Sequence, residues 1–464
     1  MSHLNSIDGW MKSRRTRTVA ATTLLAALLS GCALYHARPL PAAADLRPGP
    51  AALKVDVARL RVAPLKEIVV DPSKGLDPLA VAVLAVLNSP DLQAKRAALK
   101  VKGAEVFAAG LLPDPQISVS RDNPISGPDT HKAYNVSPSL DIAGMLATAN
   151  AHRAARFTAK QADLDLLWAE WTTAQQARQF AETALADEAR VAYLQRVLAA
   201  AADRYARSSR ALERHDVTLQ TTAADLAAKL DAQTLMATAL HDALKARRDL
   251  NALLNLDAAV VLPLVQGPAL QTYDAAAVQA ALSSLPTRRP DLLALQAGYQ
   301  AQDANVRKAV IAQFPLASIA YAYAKDPAGT TTQGLSAVLA LPIFGLKRAD
   351  VRVQNATREQ LRTEYQARLD QTNAEVRNAQ AELAGASAQA AVLRIDVPRL
   401  EALVGPAVNA YDRGDLDSQT YLTLTQNVLF KRADLDDREL AARLAEIQLE
   451  TALFLPPANS RTAP

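Results

Sequence analysis

The sequence predicts a mainly α-helical chain with a small β part, built as duplicated long-helix coiled-coil hairpins that each follow a pair of short strands. Three observations carry this. Gly144 to Ser208 and Gly345 to Gly414 are long stretches of helical periodicity. Two short runs of period-two alternation precede each stretch. The whole series then recurs at an offset of about 200 residues, the mark of an internal repeat.

Composition agrees with long helices rather than sheets. Half of the 464 residues are hydrophobic, mostly Ala and Leu, while glycine (16) and aromatic residues (5%) are sparse. The formal charge is +4, but Lys12, Arg14, Arg15 and Arg17 against Asp8 supply +3 of it within the first 31 residues, leaving +1. No nucleic-acid partner follows from so small a balance.

That N-terminal charge belongs to a targeting signal. Lys12 to Arg17 form a positive region, and Val19 to Leu29 an apolar run too short to span a bilayer. Leu29-Ser30-Gly31-Cys32 then resembles the lipobox of bacterial lipoproteins, which implies cleavage before Cys32 and a covalent lipid on it. Translation starts at Met1 or at Met11. Cys32 is the only cysteine, which excludes intramolecular disulfides and thiolate metal sites. Ala33 lacks the acidic side chain that would suggest retention at the inner membrane. Several acyl chains together anchor stably where one would not.

The Pro-rich residues after Cys32 read as an extended tether with little regular structure. A helix is expected from Asp77 to about Gly110, interrupted at Asn88-Ser89-Pro90-Asp91-Leu92 and stopped by Leu111-Leu-Pro-Asp-Pro115. In Gln116–Asp122, Ile117 and Val119 alternate with Ser118, Ser120 and Asp122. In Tyr134–Ile142, Tyr134, Val136, Leu140 and Ile142 alternate with Asn135, Ser137, Ser139 and Asp141. Both read as strands with one apolar and one polar face, joined as a hairpin through Asn123-Pro124 and Gly127-Pro128, with Pro138 an awkward member of the second.

The first long helix places Phe157, Leu164, Trp171, Leu185, Ala192 and Ala199 on one heptad position, interrupted by Arg178. A return helix carries Leu226, Leu230, Ala237, Leu240, Leu244 and Leu254, with Gln233, Arg247 and Asn251 sharing the stripe. Those polar members suit a water-filled tunnel or simple drift of register. The series then restarts. Pro290-Asp291-Leu292 echoes Pro90-Asp91-Leu92, and Phe314-Pro315 echoes Leu112-Pro113. Ile319, Tyr321 and Tyr323 alternate with alanines, and Leu335, Ala337, Leu339, Leu341 and Ile343 with smaller residues. Gly345 answers Gly144, and Tyr411 answers Tyr205. The second long helix shows Leu361, Tyr365, Leu369, Thr372, Val376, Ala379 and Leu383 on one stripe, and Pro398 marks a kink or break.

The chain therefore divides into a signal peptide at 1–31, a lipidated N-terminal tether at 32–76, a first repeat at 77–266, a connector at 267–284, a second repeat at 285–455 and a C-terminal tail at 456–464. Four strands cannot close a barrel, and open strand edges are not tolerated in lipid, so membrane strands here have to be shared between chains. A soluble sheet packed on helices is the alternative for the strands taken alone.

The paired Pro-Asp-Leu starts, the paired (Leu/Phe)-Pro turns into strands, Pro342-Ile-Phe-Gly345 and Tyr411-x-x-Gly414 resemble the TolC-like outer-membrane efflux factor family over residues 77 to 455. The lipobox fits its lipoprotein branch, and Asp141-Ile-Ala-Gly144 its heavy-metal efflux subgroup. The resemblance implies a homotrimer with a twelve-stranded β-barrel and a periplasmic α-helical tunnel, lipid-anchored in the outer membrane. It implies docking to a periplasmic adaptor (membrane fusion protein) and an inner-membrane pump of RND type.

It also implies a tip or gate built from Tyr411, Asp412, Gly414, Asp415 and Asp417. Tyr205, Ser208 and Asp216 are their counterparts in the first repeat, and Gly144 and Gly345 serve as strand-to-helix turns. Asp415 or Asp417, repeated by threefold symmetry, would form a cation-favouring ring. No cofactor beyond the lipid on Cys32 is expected, and no enzyme. The six histidines show no metal-ligand spacing, and neither a phosphate loop nor a nucleophile elbow is present. The rival readings are a lipid-anchored periplasmic adaptor, which predicts Gly-rich strands around one hairpin, and a coiled-coil scaffold protein without a pore.

Overall fold

The computed structural model describes residues 35–66, 68, 70–71, 75–128, 131–314, 317–339, 341 and 343–456. Cys32, the signal peptide, Pro315 and Pro342 lie outside them. The chain divides into two units, Met1–Asp45 and Leu46–Pro464. Residues 35–45 of the first are exposed and carry neither helix nor strand.

From Leu46 the expected tether is packed rather than free. It holds three short 3-10 turns, and Leu53, Leu60, Val62, Leu65 and Leu76 are buried. Asn88 ties it down: its Oδ1 accepts from Lys54 N at 2.9 Å, and its Nδ2 donates to Lys54 O at 3.1 Å. Regular structure begins with α1 (Pro78–Asn88), capped by Asp77 and buried on every side, and α2 (Pro90–Gly110). Proline at the first position of α2 explains the break at Ser89, since its missing N–H costs a helix nothing there.

Strands β1 (Gln116–Asp122) and β2 (Ala133–Asp141) form the first hairpin. Asp141 ends β2 and caps α3 (Ile142–Glu213) through Gly144 N at 3.0 Å, so Ile142 is helical rather than the last strand residue. Helix α3 has 72 residues, about 110 Å at 1.5 Å per residue. It turns at Arg214–Val217 into the antiparallel α4 (Leu219–Leu253). The second repeat follows as α5 (Ala275–Arg288), α6 (Pro290–Ile311), β3 (Ala317–Lys325), β4 (Thr331–Leu339), α7 (Leu346–Ala402), α8 (Val404–Asp412) and α9 (Ser418–Leu453). Half of the connector expected at 267–284 is thus helical, and the repeat starts at α5. Leu341 and Ile343 fall beyond β4. Pro398 sits inside α7, and the break comes later, at Leu403.

The four strands make one antiparallel sheet in the order β1-β2-β3-β4, so the pairing of β2 with β3 joins the two repeats. Below it, α3 packs on α4 and on α9, and α9 on α7, giving the lateral order α4–α3–α9–α7.

The buried stripe of α7 is the expected one, Thr372, Val376, Ala379 and Leu383, extended by Ala386 and Ala390. Thr372 is accommodated because its hydroxyl donates to Arg368 O at 2.8 Å. The other two stripes differ. In α3 the buried line runs through Trp171, Ala174, Ala177, Arg178, Ala181 and Ala184, while Ala192 and Ala199 are exposed. In α4 it is Ala232, Ala239, Ala243 and Ala246, and Leu230, Leu240 and Leu244 face outward. Alanine lets helix axes approach closely, so the smaller side chains take the contact within one chain.

Arg178 is no interruption of the core but its polar centre. Its guanidinium donates to Gln175 Oε1 at 2.7 Å and pairs with Glu450 of α9. Tyr273 OH donates to the other Glu450 oxygen at 2.9 Å, and burial beside that carboxylate pushes the phenol far up. Burial also raises Glu446, although Gln271 N donates to it at 2.7 Å. Trp171 Nε1 donates to Thr451 O at 3.3 Å and packs edge-on against Phe454.

Candidate functional site

Two ends of this scaffold carry the residues of interest. At the first, the strand register sorts side chains by chemistry, because residues opposite one another in antiparallel strands project to one face. Val119, Val136 and Tyr323 share a face, as do Leu140, Ile319 and Ala337, and Tyr321 with Leu335. The other face holds Ser118 with Ser137, Ser120 with Asn135 and Ala324, and Ser139 with Ala320 and Ser336. The apolar face is the exposed one: Ile117 and Val119 are each 70% exposed and Leu335 81%, whereas Asn135, Ser137, Ser139 and Ala320 on the other face are partly buried. Among the described residues neither outer strand, β1 or β4, pairs further. Pro138 is tolerated within β2, where it sits opposite Ile117.

The strand-to-helix transitions differ between repeats. Gly144 lies inside the first turn of α3, where an added Cβ would stand 2.4 Å from Asp141 Oδ2 and 2.7 Å from Pro113 Cγ. Gly345 is itself the residue before α7, in the left-handed region at φ 74°.

At the far end the two turns superpose residue by residue at an offset of 199: Arg214-His215-Asp216-Val217-Thr218 on Arg413-Gly414-Asp415-Leu416-Asp417. His215 (φ 63°) and Gly414 (φ 81°) are the left-handed residues. Asp216 N donates to Ala211 O at 2.9 Å and Asp415 N to Ala410 O at 2.8 Å. His215 N and Gly414 N each donate three residues back at 2.9 Å, which completes a Schellman closure in both. Arg214 Nε meets Asp216 at 3.0 Å as Arg413 Nε meets Asp415 at 2.9 Å. The counterpart of Gly414 is therefore His215, and that of Tyr411 is Leu212. Ser208 lies inside α3, buried, and its carbonyl accepts from Thr222 at 3.4 Å. Tyr205 lies deeper still, with Lys229 Nζ 5.2 Å above its ring.

The acidic residues expected at the tip all have partners. Asp417 caps α9 through Thr420, whose hydroxyl and backbone N–H hold its carboxyl below the usual carboxylate range. Asp412 faces Arg207 of the first hairpin at 3.6 Å. The joint between hairpins centres on a residue the sequence reading missed, Arg204. Its guanidinium lies between Tyr411 and Tyr421, 3.9 and 3.7 Å from the two ring centroids, and donates to Asp225 at 2.6 Å. Such a sandwich adds cation–π attraction to the ion pair. Further up, Arg190 pairs with Asp437 across the same α3–α9 seam.

No family model matches the sequence, and no curated protein matches it. Solved structures do. The chain superposes on CusC with a TM-score of 0.65 at 17% identity, covering 91% of this chain and 99% of that one. It superposes on the outer membrane channel CmeC of Campylobacter jejuni with 0.71 at 17% identity over 81% and 85%. The fold is the TolC-like channel fold. The open-state MtrE outer membrane channel of Neisseria gonorrhoeae shares it, with a TM-score of 0.64 at 17% identity over 81% and 88%.

In that TolC-like fold the sheet and the tips stand at opposite ends of the long helices, so the strand residues belong to one end and the turn residues to the other. Among the described residues no helix is long and apolar enough to cross a membrane, and no group of three or more His, Cys, Asp or Glu is arranged to hold a metal ion.

Proposed function

We propose that this chain is one subunit of a passive outer-membrane efflux conduit, not an enzyme. The observation that carries the reading is the sheet. Its apolar face suits lipid, its serine-, asparagine- and alanine-lined face suits a water-filled lumen, and among the described residues its two outer strands lack neighbours. Unpaired strand edges are untenable in hydrocarbon. Three copies close them as a twelve-stranded barrel, and the long helices continue it as a periplasmic tunnel. Lipid on Cys32 anchors each copy. A periplasmic adaptor and an RND-type inner-membrane pump supply the cargo, with metal ions the class suggested by Asp141-Ile-Ala-Gly144.

The tip is the gate of this conduit. Asp415 or Asp417, threefold repeated, forms an acidic ring that favours cations, the exposed Arg413 beside Asp415 neutralising it little in water. Recording from the lipid-modified protein in planar bilayers tests the reading. The wild type conducts as a trimer with cation preference, and Asp415→Ala or Asp417→Ala lowers that preference. A monomer that passes no current overturns the conduit; current with unchanged preference in both variants overturns only the ring.

A further inference from the structure

On the apolar face of the sheet, the cross-strand row nearest the hairpin turns departs from the rows behind it. Arg121 pairs with Tyr134, Tyr134 with Lys325, and Lys325 with Thr331. Their side chains therefore share the face of Val119, Val136 and Tyr323. A face otherwise suited to lipid thus carries two cations. Arg121 is exposed and Lys325 half-buried, and among the described residues neither has an ion-pair partner. The neighbouring carboxylates are engaged elsewhere: Asp122 belongs to the opposite face, beside Ala133, and Asp326 accepts from Thr330 N at 2.8 Å within its own turn.

Cations on a lipid-facing strand are costly at the bilayer midplane and tolerated near its interfaces. This row stands at the strand ends remote from α3 and α7. Behind it, the rings of Tyr134 and Tyr323 lie 6.3 Å apart, and Tyr321 OH donates to Gln333 Oε1 at 2.9 Å. These tyrosines form a band between the cations and the aliphatic Leu140 and Ile319, the arrangement found where a barrel meets the membrane–water boundary. On the conduit reading, from which the site takes its orientation, the helices enter the periplasm and this row lies in the outer leaflet.

We propose that Arg121, Tyr134 and Lys325 bind the phosphate of an outer-leaflet glycolipid, the phosphorylated lipid A of lipopolysaccharide. Paired residues on adjacent strands stand about 5 Å apart, so Arg121 and Lys325 flank Tyr134 at a separation of about 10 Å. Their long side chains can close over its ring on one phosphate group. The guanidinium offers a fork of donors, the ammonium a point charge and the phenol a further donor. The acyl chains of the same molecule then run along Val119, Val136 and Tyr323. All three residues come from one chain, so the site is complete in each subunit.

The full lipid-modified chain, solubilised in detergent, is titrated with bisphosphorylated lipid A and followed by native mass spectrometry. Dephosphorylated lipid A and dioleoyl-phosphatidylglycerol serve as comparisons. Bisphosphorylated lipid A binds, and removing its phosphates weakens binding about tenfold or more. Arg121→Gln with Lys325→Gln weakens it as much. Arg121→Lys with Lys325→Arg, which keeps both charges, retains most of it, and Arg153→Gln, at an exposed position on α3, leaves it unchanged.

Equal binding of the two lipid A forms overturns the site, and that comparison uses the wild type, so it decides even where a variant fails to fold. Equal binding by the double glutamine variant also overturns it. Equal affinity for dioleoyl-phosphatidylglycerol overturns the assignment to a glycolipid. A wild type that conducts in planar bilayers yet ignores phosphate counts against the site alone; one that passes no current overturns the conduit, whichever way the titration falls.

Discussion

At the scale of single residues, the chain places charge where helices from the two repeats must meet. Arg178, Glu450, Tyr273 and Gln175 form one hydrogen-bonded group in the core. A buried ion pair of this kind adds little net stability over an apolar pair of similar volume, but removing one partner strands the other. Arg178→Leu is therefore expected to cost about 3–5 kcal/mol, read as a shifted urea midpoint, because Glu450 keeps its burial and loses its cation. Arg178→Leu combined with Glu450→Leu recovers most of that loss, the non-additivity expected of a contacting pair. Strictly additive effects would show that the pair is not coupled. Burial holds Glu446 and Glu182 above ordinary carboxylate values as well. Their ionisation is thus a cost carried by the folded state at neutral pH, relieved as pH falls through their raised values towards 4.5.

At the scale of elements, the two tip turns make an internal control. Both need a left-handed residue at the Schellman position; Gly414 supplies it without strain, and His215 supplies it with its Cβ in the way. His215→Gly is expected to raise stability by about 0.5–1 kcal/mol, and Gly414→Ala to lower it by about 1 kcal/mol, in thermal unfolding. Equal and opposite failure of both would show that the turns are not held as described.

The same turns show what was legible beforehand. The strands, the Pro-Asp-Leu starts and the stripe of α7 were readable because each depends on local spacing. The match of Tyr205 to Tyr411 was not sound: it followed residue identity, whereas the closure depends on backbone, and His can occupy the glycine position. An unbroken offset of 199 through Arg-x-Asp was the available signal. Arg204 escaped notice because its partners, Asp225, Tyr411 and Tyr421, lie on three other helices. Leu230, Leu240 and Leu244 of α4 face outward, because periodicity reports that a stripe exists, not which of two neighbours it meets. Arg247 and Asn251, which share that stripe, serve the chain itself: Arg247 pairs with Glu188, and Asn251 holds the carbonyls of Asp257 and Val260.

At the scale of the molecule, those outward leucines and the open strand edges make the same demand. In the lateral order α4–α3–α9–α7, helices α4 and α7 lie at the two ends, as β1 and β4 do in the sheet. Leu230 and Leu244 of α4 are 52% and 51% exposed, and Val392 and Ile395 of α7 are 59% and 57% exposed. Val392 and Ile395, 21 and 18 residues before Arg413 on α7, stand between the heights of Leu230 and Leu244, 12 and 26 residues after Thr218 on α4.

A head-to-tail ring of identical copies would set α4 of one against α7 of the next, just as it sets β4 against β1, and a threefold rotation closes both seams at once. Burying each leucine is worth about 1.5–3 kcal/mol. Leu230→Gln with Leu244→Gln is therefore expected to shift the proposed trimer to monomer in analytical ultracentrifugation while its helical circular dichroism stays unchanged, since neither side chain enters the chain's own core. Val392→Gln with Ile395→Gln should do the same from the opposite side of the seam. If both doubles remain fully trimeric, α4 and α7 do not meet, and the helical wall must close through some other pair of surfaces than the one that closes the strands.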